Sequence, residues 1–321
     1  MITDRANAIC LLEILREYSD SNHILGMKDI ISKMNTLYGI HPDRRTIYSA
    51  AALLIDLGYD ISMYEENGIG YYLRGRELEQ SEVILLTDAV YSFPFIPAKQ
   101  SEDLIRKLQK QLSVNQRKQY RHLTVVRQDK KTDNRQVFFN IEQLDEAITA
   151  GKQVQFTYMQ YGLDKKLYPR REKPYTANAY GMVYMNEHYY LICSLASFPK
   201  IALYRIDRMR DLKILDIDCA KQIESEKATA DAIYGFAGEP EHIVMHCDKL
   251  VLNDVIDKFG SEVHLSELDE NHFSASFDVP PHGVKFWALQ YLPYVEVVSP
   301  EWLRKDIIQC VCDNPYLEVK Q

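Results

Sequence analysis

Over residues 1–76, apolar side chains recur every three or four positions in three stretches, as helices that bury one face require. The residues expected to face inward on the first two helices are Ile9, Leu12, Leu15, Tyr18, Ile30, Ile31 and Met34. A third helix is predicted to begin after Asp43, a residue type that caps helix N-termini, and to end at Gly58. In the segment 59–73, apolar and polar residues then alternate on both sides of Asn67-Gly68, a pair typical of tight hairpin turns. Three helices followed by a β-hairpin predict a winged helix-turn-helix domain.

Residues 77–135 continue the helical pattern and predict a helical linker between two domains. The pattern is interrupted at 93–97, and the stretch 127–135 is polar enough to be an exposed connection. The residues expected to lie in register on the inner face are Ile84, Leu85, Ala89, Leu104, Ile105, Leu108 and Leu112.

In residues 136–216 the pattern changes to one helix followed by short strands. Asn140 and Gln143 have the spacing of a capping box, so the helix is expected to begin there and to end near Gly151. Strands are expected at 154–158, 167–174, 179–185, 188–194, 203–207 and 212–215. One helix and several short strands predict a small, barrel-like sheet.

After a connection at 217–239, the segment 240–321 alternates strands and helices in the order βαββαβ and ends in a further helix. The expected strands are 242–247, 263–268, 273–279 and 295–298, and the expected helices are 250–259, 284–291 and 301–311. This order is typical of a ferredoxin-like domain. The whole chain is therefore predicted to be of the α+β class.

The composition restricts the class of protein further. No apolar run approaches the roughly 20 residues that span a bilayer, and the charged, periodic N-terminus does not resemble a secretory signal. The six cysteines form no CxxC pair, which favours free thiols in a reducing compartment. We therefore expect a cytoplasmic protein that has no membrane segment.

The net charge of −8 is unevenly distributed along the 321 residues. Segment 1–80 carries −4 and segment 216–321 carries −12, whereas 99–135 carries +7 and 136–215 carries +3. A basic region inside an acidic chain is a pattern that can mark nucleic-acid contact. Solvated helix surface explains the same pattern equally well, and this applies in particular to 106–135.

The first turn of the third helix is the sharpest candidate for DNA contact. A recognition helix reads base edges in the major groove with its N-terminal residues, and arginine pairs well with guanine. The candidate residues on this helix are Arg44, Arg45, Thr46, Tyr48 and Ser49. The alternative is that the two arginines balance Asp43 and Asp56. In the hairpin, Asn67, Tyr71 and Arg74 are expected to contact the DNA backbone or minor groove, although Glu65 and Glu66 would repel phosphate.

Several segments resemble the WYL-domain transcription regulators, whose Trp-Tyr-Leu triplet is followed by a Phe-Arg-Leu-Asp-Arg-Ile-like run. The matching segments are Arg44-Arg45-Thr46-Ile47-Tyr48 (similar to their DeoR-like helix), Phe156-Thr157-Tyr158, Arg170-Arg171-Glu172-Lys173-Pro174, His188-Tyr189-Tyr190-Leu191, Tyr204-Arg205-Ile206-Asp207-Arg208-Met209, and 287–303, which resembles their C-terminal extension. The resemblance implies a transcription factor, often homodimeric, that binds a double-stranded DNA operator. It also implies an Sm-like β-barrel that binds a nucleotide or single-stranded nucleic acid as effector and controls the DNA-binding domain.

The effector residues that the resemblance implies are Tyr158, Arg170, His188, Tyr189, Tyr190, Arg205 and Arg208. Arginines pair with phosphate oxygens and aromatic rings stack on bases, so these residue types suit the ligand. Tyr189 replaces the usual tryptophan, and Ala202 stands where many relatives have another arginine. Strand alternation places His188 and Tyr190 on one face and Tyr189 on the other, so one of the two tyrosines is expected in the core.

Enzymatic function has little support in the sequence, and we expect neither catalysis nor a cofactor or metal. His242 and His246 are four residues apart, but they lie in an expected strand without an HExxH arrangement. Two alternatives to the regulator remain. One is an RNA or single-stranded DNA binding module without promoter-specific regulation, and the other is a small-molecule enzyme around His246 and His272.

Overall fold

The computed structural model describes residues 6–119, 131–195, 198–220 and 239–315, and the chain divides into two compact units, 1–133 and 134–321. The class is α+β, as predicted: helices dominate the first unit, and two antiparallel sheets form the second. Among the described helices, none is both long and apolar enough to cross a membrane.

The first unit begins with three helices, α1 (Asn7–Tyr18), α2 (Met27–Tyr38) and α3 (Arg44–Asp56). They enclose a core with Leu11, Ile14, Leu15, Ile30, Met34, Ile47 and Ala51, all fully buried. The prediction for Ile9 was wrong, because its side chain is 66% exposed. Helix α1 contacts α2, α3 and the hairpin, so it buries a broad face whose limits the apolar spacing does not define.

The hairpin consists of β1 (Ile61–Ser62) and β2 (Tyr72–Leu73), which pair antiparallel. Its connection is not the expected two-residue turn at Asn67-Gly68. The chain instead forms one helical turn, α4 (Tyr64–Asn67), which ends at Gly68 in the left-handed conformation with φ +67°.

The linker region contains α5 (Gln80–Ser92), α6 (Ala98–Gln109) and α7 (Val114–Gln119). In α6 and the turn after it, Ile105 and Leu112 are buried as expected. In α5 the expected inner face was wrong, because Leu85 is 70% exposed and the helix buries Val83 and Val90 instead. Of the expected exposed connection at 127–135, residues 127–130 lie outside the described residues, and the expectation was wrong at Thr132 and Asn134, which are buried.

In the second unit, α8 (Val137–Thr149) begins three residues before the expected capping box. Asn140 is therefore inside the helix, where its buried Nδ2 donates to the Met209 carbonyl oxygen at 3.1 Å. The cap was predicted wrongly because an Asn-x-x-Gln spacing looks the same at a helix start and one turn inside it.

The strands that follow are β3 (Lys152–Tyr161), β4 (Leu167–Pro169), β5 (Tyr175–Met185), β6 (His188–Leu195), β7 (Phe198–Arg205) and β8 (Met209–Asp218). All pairs are antiparallel: β3 pairs with β4, β5 and β8, and the sheet continues through β5, β6 and β7. Two expected strands end earlier than predicted. One ends at Pro169, and the other ends at Arg205, because Ile206–Arg208 form a 3-10 turn.

The last block has the predicted βαββαβ order. Its elements are β9 (Glu241–Asp248), α9 (Leu252–Phe259), β10 (His264–Glu267), β11 (His272–Val279), α10 (Pro281–Gln290), β12 (Val295–Ser299) and α11 (Glu301–Cys312). The antiparallel sheet has the order β10-β11-β9-β12. Ile243, Met245, Val284 and Leu303 are fully buried in one cluster, so helices pack on one face of this sheet.

Candidate nucleic-acid interface and effector site

The N-terminus of α3 is held by a side-chain cap. The backbone N–H of Thr46 donates to Asp43 Oδ1 at 2.7 Å, and hydrogen bonds from Thr46 lower the pKa of the Asp43 carboxyl. Ile47 faces the core, whereas Arg44 and Arg45 lie exposed in the first turn. The sequence therefore buries one side of α3 and presents the other side to solvent.

Neither Arg44 nor Arg45 forms an ion pair with any residue that the structure describes. The charge of Arg45 still acts on Asp43 and helps lower the pKa of that carboxyl, so a balance of charge between the two arginines and Asp43 and Asp56 stays an alternative. Two guanidinium groups remain open to solvent on one helical turn.

Of the other α3 candidates, Ser49 is exposed and Thr46 is half-buried. Tyr48 is 44% exposed, and its ring meets that of buried Tyr71 edge-on, with centroids 6.4 Å apart. Burial raises the pKa of Tyr71 well above its ordinary value. Tyr48 therefore combines a packing contact with an accessible face.

Of the three hairpin candidates, Tyr71 was predicted wrongly, because its side chain is buried in the core of the first unit, and the other two are engaged in local contacts. The Asn67 amide Nδ2 donates to the carbonyl oxygens of Met63 and Gly70, each at 2.9 Å, so the side chain holds the turn together. Arg74 forms ion pairs with Asp60 at 3.1 Å and Glu66 at 2.7 Å. Both side chains stabilise the hairpin in this structure, and Glu66 is used by Arg74.

In the six-stranded sheet of the second unit, five of the seven effector candidates lie close enough together to interact electrostatically. His188 and Tyr190 lie on β6, and Tyr190 is the register partner of Arg205 at the end of β7. Arg208 follows in the 3-10 turn, and Tyr158 on β3 lies close enough that the charges of Arg205 and Arg208 act on its hydroxyl. Burial nevertheless raises the pKa of Tyr158.

Asp207, which the sequence analysis did not select, fixes the central arginine. Arg205 Nε donates to Asp207 Oδ1 at 3.0 Å, and Nη2 donates to Oδ2 at 2.7 Å. Burial of Arg205 works against its charged form, but the Asp207 hydrogen bonds outweigh this effect and raise the arginine's pKa. The signal available in the sequence was the spacing Arg-x-Asp, which permits such a fork.

The pKa of His188 is lowered, first by burial and then by the nearby Arg205 and Arg208. The negative charges of Asp207 and Glu187 oppose this shift without cancelling it. Among the described residues, His188 Nδ1 and Arg208 Nε are buried atoms without a hydrogen-bond partner. Two polar atoms of this cluster therefore have unused hydrogen-bonding capacity.

The other two effector candidates lie elsewhere. Tyr189 packs against the core cluster of the sheet, with its ring 6.1 Å from that of Tyr184, so it is the tyrosine on the core side. The Arg170 side chain is exposed, and its backbone N–H donates to the Tyr158 carbonyl oxygen at 2.8 Å. Ala202 pairs with buried Cys193, which places it on the core side as well.

Aromatic packing limits what Tyr158 can contribute. Its ring is 8% exposed and meets that of Tyr204 edge-on at 4.9 Å, within a cluster that also contains Phe156 and Tyr175. Arg171, also missed by the sequence analysis, places its guanidinium 3.5 Å from the centroid of the Tyr175 ring. Tyr158 is mainly a core residue whose hydroxyl end adjoins the cationic cluster.

Two histidines of the last block are paired with carboxylates. His242 Nδ1 lies 2.9 Å from Asp278 Oδ1, and His272 Nδ1 lies 2.9 Å from Asp269 Oδ1. In the parts of the chain that the structure describes, no three His, Cys, Asp or Glu residues are grouped so that they could hold a metal ion.

Comparison with known proteins gives one family match. Residues 140–214 match the family model described as the WYL domain. No curated protein matches the chain. Two solved structures are similar: proteasome accessory factor B/C (PafBC) of Arthrobacter aurescens, at 14% identity and a TM-score of 0.27 over 97% of this chain, and a CRISPR Cas-related protein, at 15% identity and a TM-score of 0.35 over 96% of this chain and 82% of that one. The chain spans about half of the first structure, 48% of its length.

Proposed function

We propose, from the WYL domain that this chain contains, that the protein is a cytoplasmic transcription regulator. In this proposal, residues 1–76 are a winged helix-turn-helix that binds a double-stranded operator, and the protein acts as a homodimer. Residues 136–216 are an Sm-like sensor barrel, and 240–321 are a ferredoxin-like extension. The effector is a nucleotide or a single-stranded nucleic acid.

The observation that carries the proposal is the exposed pair Arg44 and Arg45 on the first turn of α3. A helix placed in the major groove contacts base edges with its N-terminal residues, and an arginine fork matches the two acceptors of guanine. Because these guanidiniums have no intramolecular ion pair in the described part of the chain, they need not break one to bind DNA. Tyr48 and Ser49 lie beside them for further base or phosphate contacts, and Thr46 N–H is already used by the cap.

The effector half of the proposal is supported by the cluster of Arg205, Arg208, His188 and Tyr190. Arg205 is already bound to Asp207 through two nitrogens, which leaves Arg208 and His188 as the groups with unused capacity for a phosphate. An anion between them would gain charge-assisted hydrogen bonds in a partly buried site. Arg170, Tyr158 and Tyr189 are secondary contacts in this proposal.

The test of DNA binding uses fluorescence anisotropy with duplexes from the region upstream of the protein's own gene. Replacing Arg44 or Arg45 by alanine is expected to weaken binding by about 1–3 kcal/mol and to relax the sequence preference. Lys305→Ala is the matched control, because Lys305 is an exposed cation of the last helix. Duplex binding that is undetectable, or that both arginine variants leave unchanged, would contradict the proposal.

The same variants separate the regulator from a single-strand binding module. Under that second function, Arg44→Ala and Arg45→Ala leave single-strand affinity unchanged and no duplex sequence is preferred. The cationic cluster on the sheet is the observation that favours it, since it does not depend on α3.

A further inference from the structure

The hairpin that joins β3 to β5 through β4 concentrates the positive charge of the sensor region. We call residues 160–173 the basic arm. Of the eleven Lys and Arg in 136–215, five lie in the basic arm, whereas only two of the eight Asp and Glu of that segment do. The basic arm alone carries +3, which equals the net charge of segment 136–215, because the positive and negative charges outside the arm cancel.

The basic arm also presents aromatic and aliphatic side chains to solvent. Tyr161 is 57% exposed and Tyr168 is 48% exposed, and Leu163 at the tip is fully exposed. Lys165 and Lys166 are exposed as well, and neither they nor Arg170 form an ion pair with a described residue. Unpaired cations interleaved with accessible rings characterise surfaces that bind single-stranded nucleic acid.

Hydrogen bonds within the tip hold the basic arm in one conformation. Gly162 N–H donates to the Lys166 carbonyl oxygen at 2.9 Å, and the Tyr168 hydroxyl donates to Asp164 Oδ2 at 2.7 Å. The Tyr168 ring lies against the turn, since a Cβ built at Gly162 would be 3.0 Å from it. Asp164, one of the two acids of the arm, is thus used inside the turn.

Two contacts join the basic arm to the effector cluster. The Arg208 guanidinium lies 5.5 Å from the centroid of the Tyr161 ring, and Arg170 N–H donates to the Tyr158 carbonyl oxygen. Arg208 therefore lies near the first aromatic ring of the arm and close enough to His188 to lower the pKa of that histidine. A ligand phosphate bound at Arg208 would have a stacking surface for the adjoining base.

We propose that the basic arm extends the effector site into a track for a single-stranded nucleic acid several nucleotides long. Tyr161 and Tyr168 stack on unpaired bases, and Lys165, Lys166 and Arg170 follow the phosphates. The bases of a duplex already stack on one another, so exposed rings favour the single strand over the operator. This inference rests on the proposed effector function and names its ligand class as an oligonucleotide.

The test compares ligands of increasing length on the full chain. Thymidine 5′-monophosphate, dT4, dT8 and dT12 compete with fluorescein-labelled dT12 in an anisotropy assay. The affinity is expected to rise steeply with length up to the span of the arm. Equal affinity for the mononucleotide and dT12 would overturn the extended track while leaving a nucleotide sensor intact. Absence of binding by every ligand would remove the effector function and the track together.

Substitutions in the basic arm then test whether the rise in affinity with ligand length comes from this arm. Tyr161→Ala is expected to weaken dT12 binding about 5- to 150-fold, which is the value of one stacked base. Tyr161→Phe keeps the ring and should retain dT12 affinity. Tyr294→Ala is the control, because Tyr294 is an exposed tyrosine of the last block, outside the proposed site.

The salt dependence of dT12 affinity measures the contribution of the lysine charges in the basic arm. Lys165→Ala combined with Lys166→Ala should reduce the slope of log affinity against log salt by about 1.4 for dT12, at roughly 0.7 for each neutralised phosphate. Lys213→Ala removes an exposed lysine of β8 and should leave the slope unchanged. If Tyr161→Ala and the double lysine variant weaken duplex binding and spare dT12, the arm contacts the operator and the proposal is wrong.

Discussion

At the scale of single residues, the carboxylate of Asp207 determines where the Arg205 guanidinium lies. Asp207 is 4% exposed, and Arg205 keeps 21% of its side chain accessible. Asp207→Ala would leave a largely buried cation without its partner, a loss that costs about 3–5 kcal/mol when both charges are fully buried. Because Arg205 retains some solvent contact, we expect the free energy of unfolding to fall by about 2 kcal/mol.

Urea unfolding measures this loss for Asp207→Ala, with Asp216→Ala as the control because Asp216 is fully exposed. An Asp207→Ala variant as stable as the unchanged protein would show that the fork with Arg205 is not a source of stability. Asp207→Asn keeps one acceptor oxygen, so its free energy of unfolding should lie between those of the unchanged protein and Asp207→Ala.

His188 predicts a pH dependence of stability on the acid side of neutrality. Its folded-state pKa is lowered, by burial first and by Arg205 and Arg208 next, so the unfolded chain binds this proton more readily than the folded protein does. Stability should therefore fall as the pH decreases below about 6.5, the ordinary histidine value, and this loss should level off below the folded-state pKa. A bound phosphate would oppose the shift.

Thermal unfolding at pH 7.5 and pH 5.5 measures how much stability is lost on acidification. The contribution of His188 is the difference in this loss between the unchanged protein and His188→Gln. The variant should lose less stability over this interval. His264→Gln is the control, since His264 is exposed on β10. An identical pH dependence in the unchanged protein and His188→Gln would contradict the lowered pKa.

At the scale of elements, α8 positions the turn that carries Arg208. The Asn140 amide on α8 donates to the Met209 carbonyl oxygen at 3.1 Å, and the Asn134 amide donates to those of Asp207 and Met209 at 2.9 and 2.8 Å. Asn140→Ala leaves a buried carbonyl with less hydrogen bonding, so we expect a loss of about 1–2 kcal/mol in unfolding free energy. We also expect weaker effector binding, because the turn is less constrained.

The measurement combines urea unfolding with dT12 anisotropy for Asn140→Ala and for Glu142→Ala, which removes an exposed side chain from the same helix. A variant that loses stability but keeps full dT12 affinity would show that α8 does not position Arg208 for binding.

Elements with strong periodicity were predictable from the sequence, and the contacts between them were not. The N-cap at Asp43 was found because the cap is local, and the last βαββαβ block was found because its strands and helices have distinct periods. The false cap at Asn140 and the exposed Leu85 on α5 have a common cause. Which neighbour a polar or apolar residue meets depends on chain segments far away, such as Met209 for Asn140.

The candidate site shows the same limit. Strand alternation correctly separated Tyr190 from Tyr189, because side chains on a strand point to opposite faces. It did not reveal that Asp207 holds Arg205, that Arg171 covers Tyr175, or that Tyr161 faces Arg208. Those contacts arise from a bend at the 3-10 turn and from the β3–β4 register, neither of which the sequence pattern encodes in isolation.

At the scale of the whole molecule, the proposed regulator requires that the two binding events influence each other. If an effector changes operator affinity by some factor, the operator must change effector affinity by the same factor. A coupling of about 1–3 kcal/mol corresponds to a change of roughly 5- to 150-fold. We therefore expect dT12 to shift the operator dissociation constant by a factor in this range, and operator duplex to shift that of dT12 equally.

The effect of dT12 on operator affinity and the effect of operator duplex on dT12 affinity can both be measured on the same protein with two fluorophores. Arg208→Ala should abolish the effect of dT12 on operator binding while leaving operator affinity without effector unchanged, because Arg208 lies in the second unit and not on α3. Arg44→Ala should weaken operator binding by about 1–3 kcal/mol and leave dT12 affinity intact. Equal operator affinity with and without saturating dT12 would mean that the chain holds two independent binding modules, because a ligand without differential affinity for two states shifts no equilibrium.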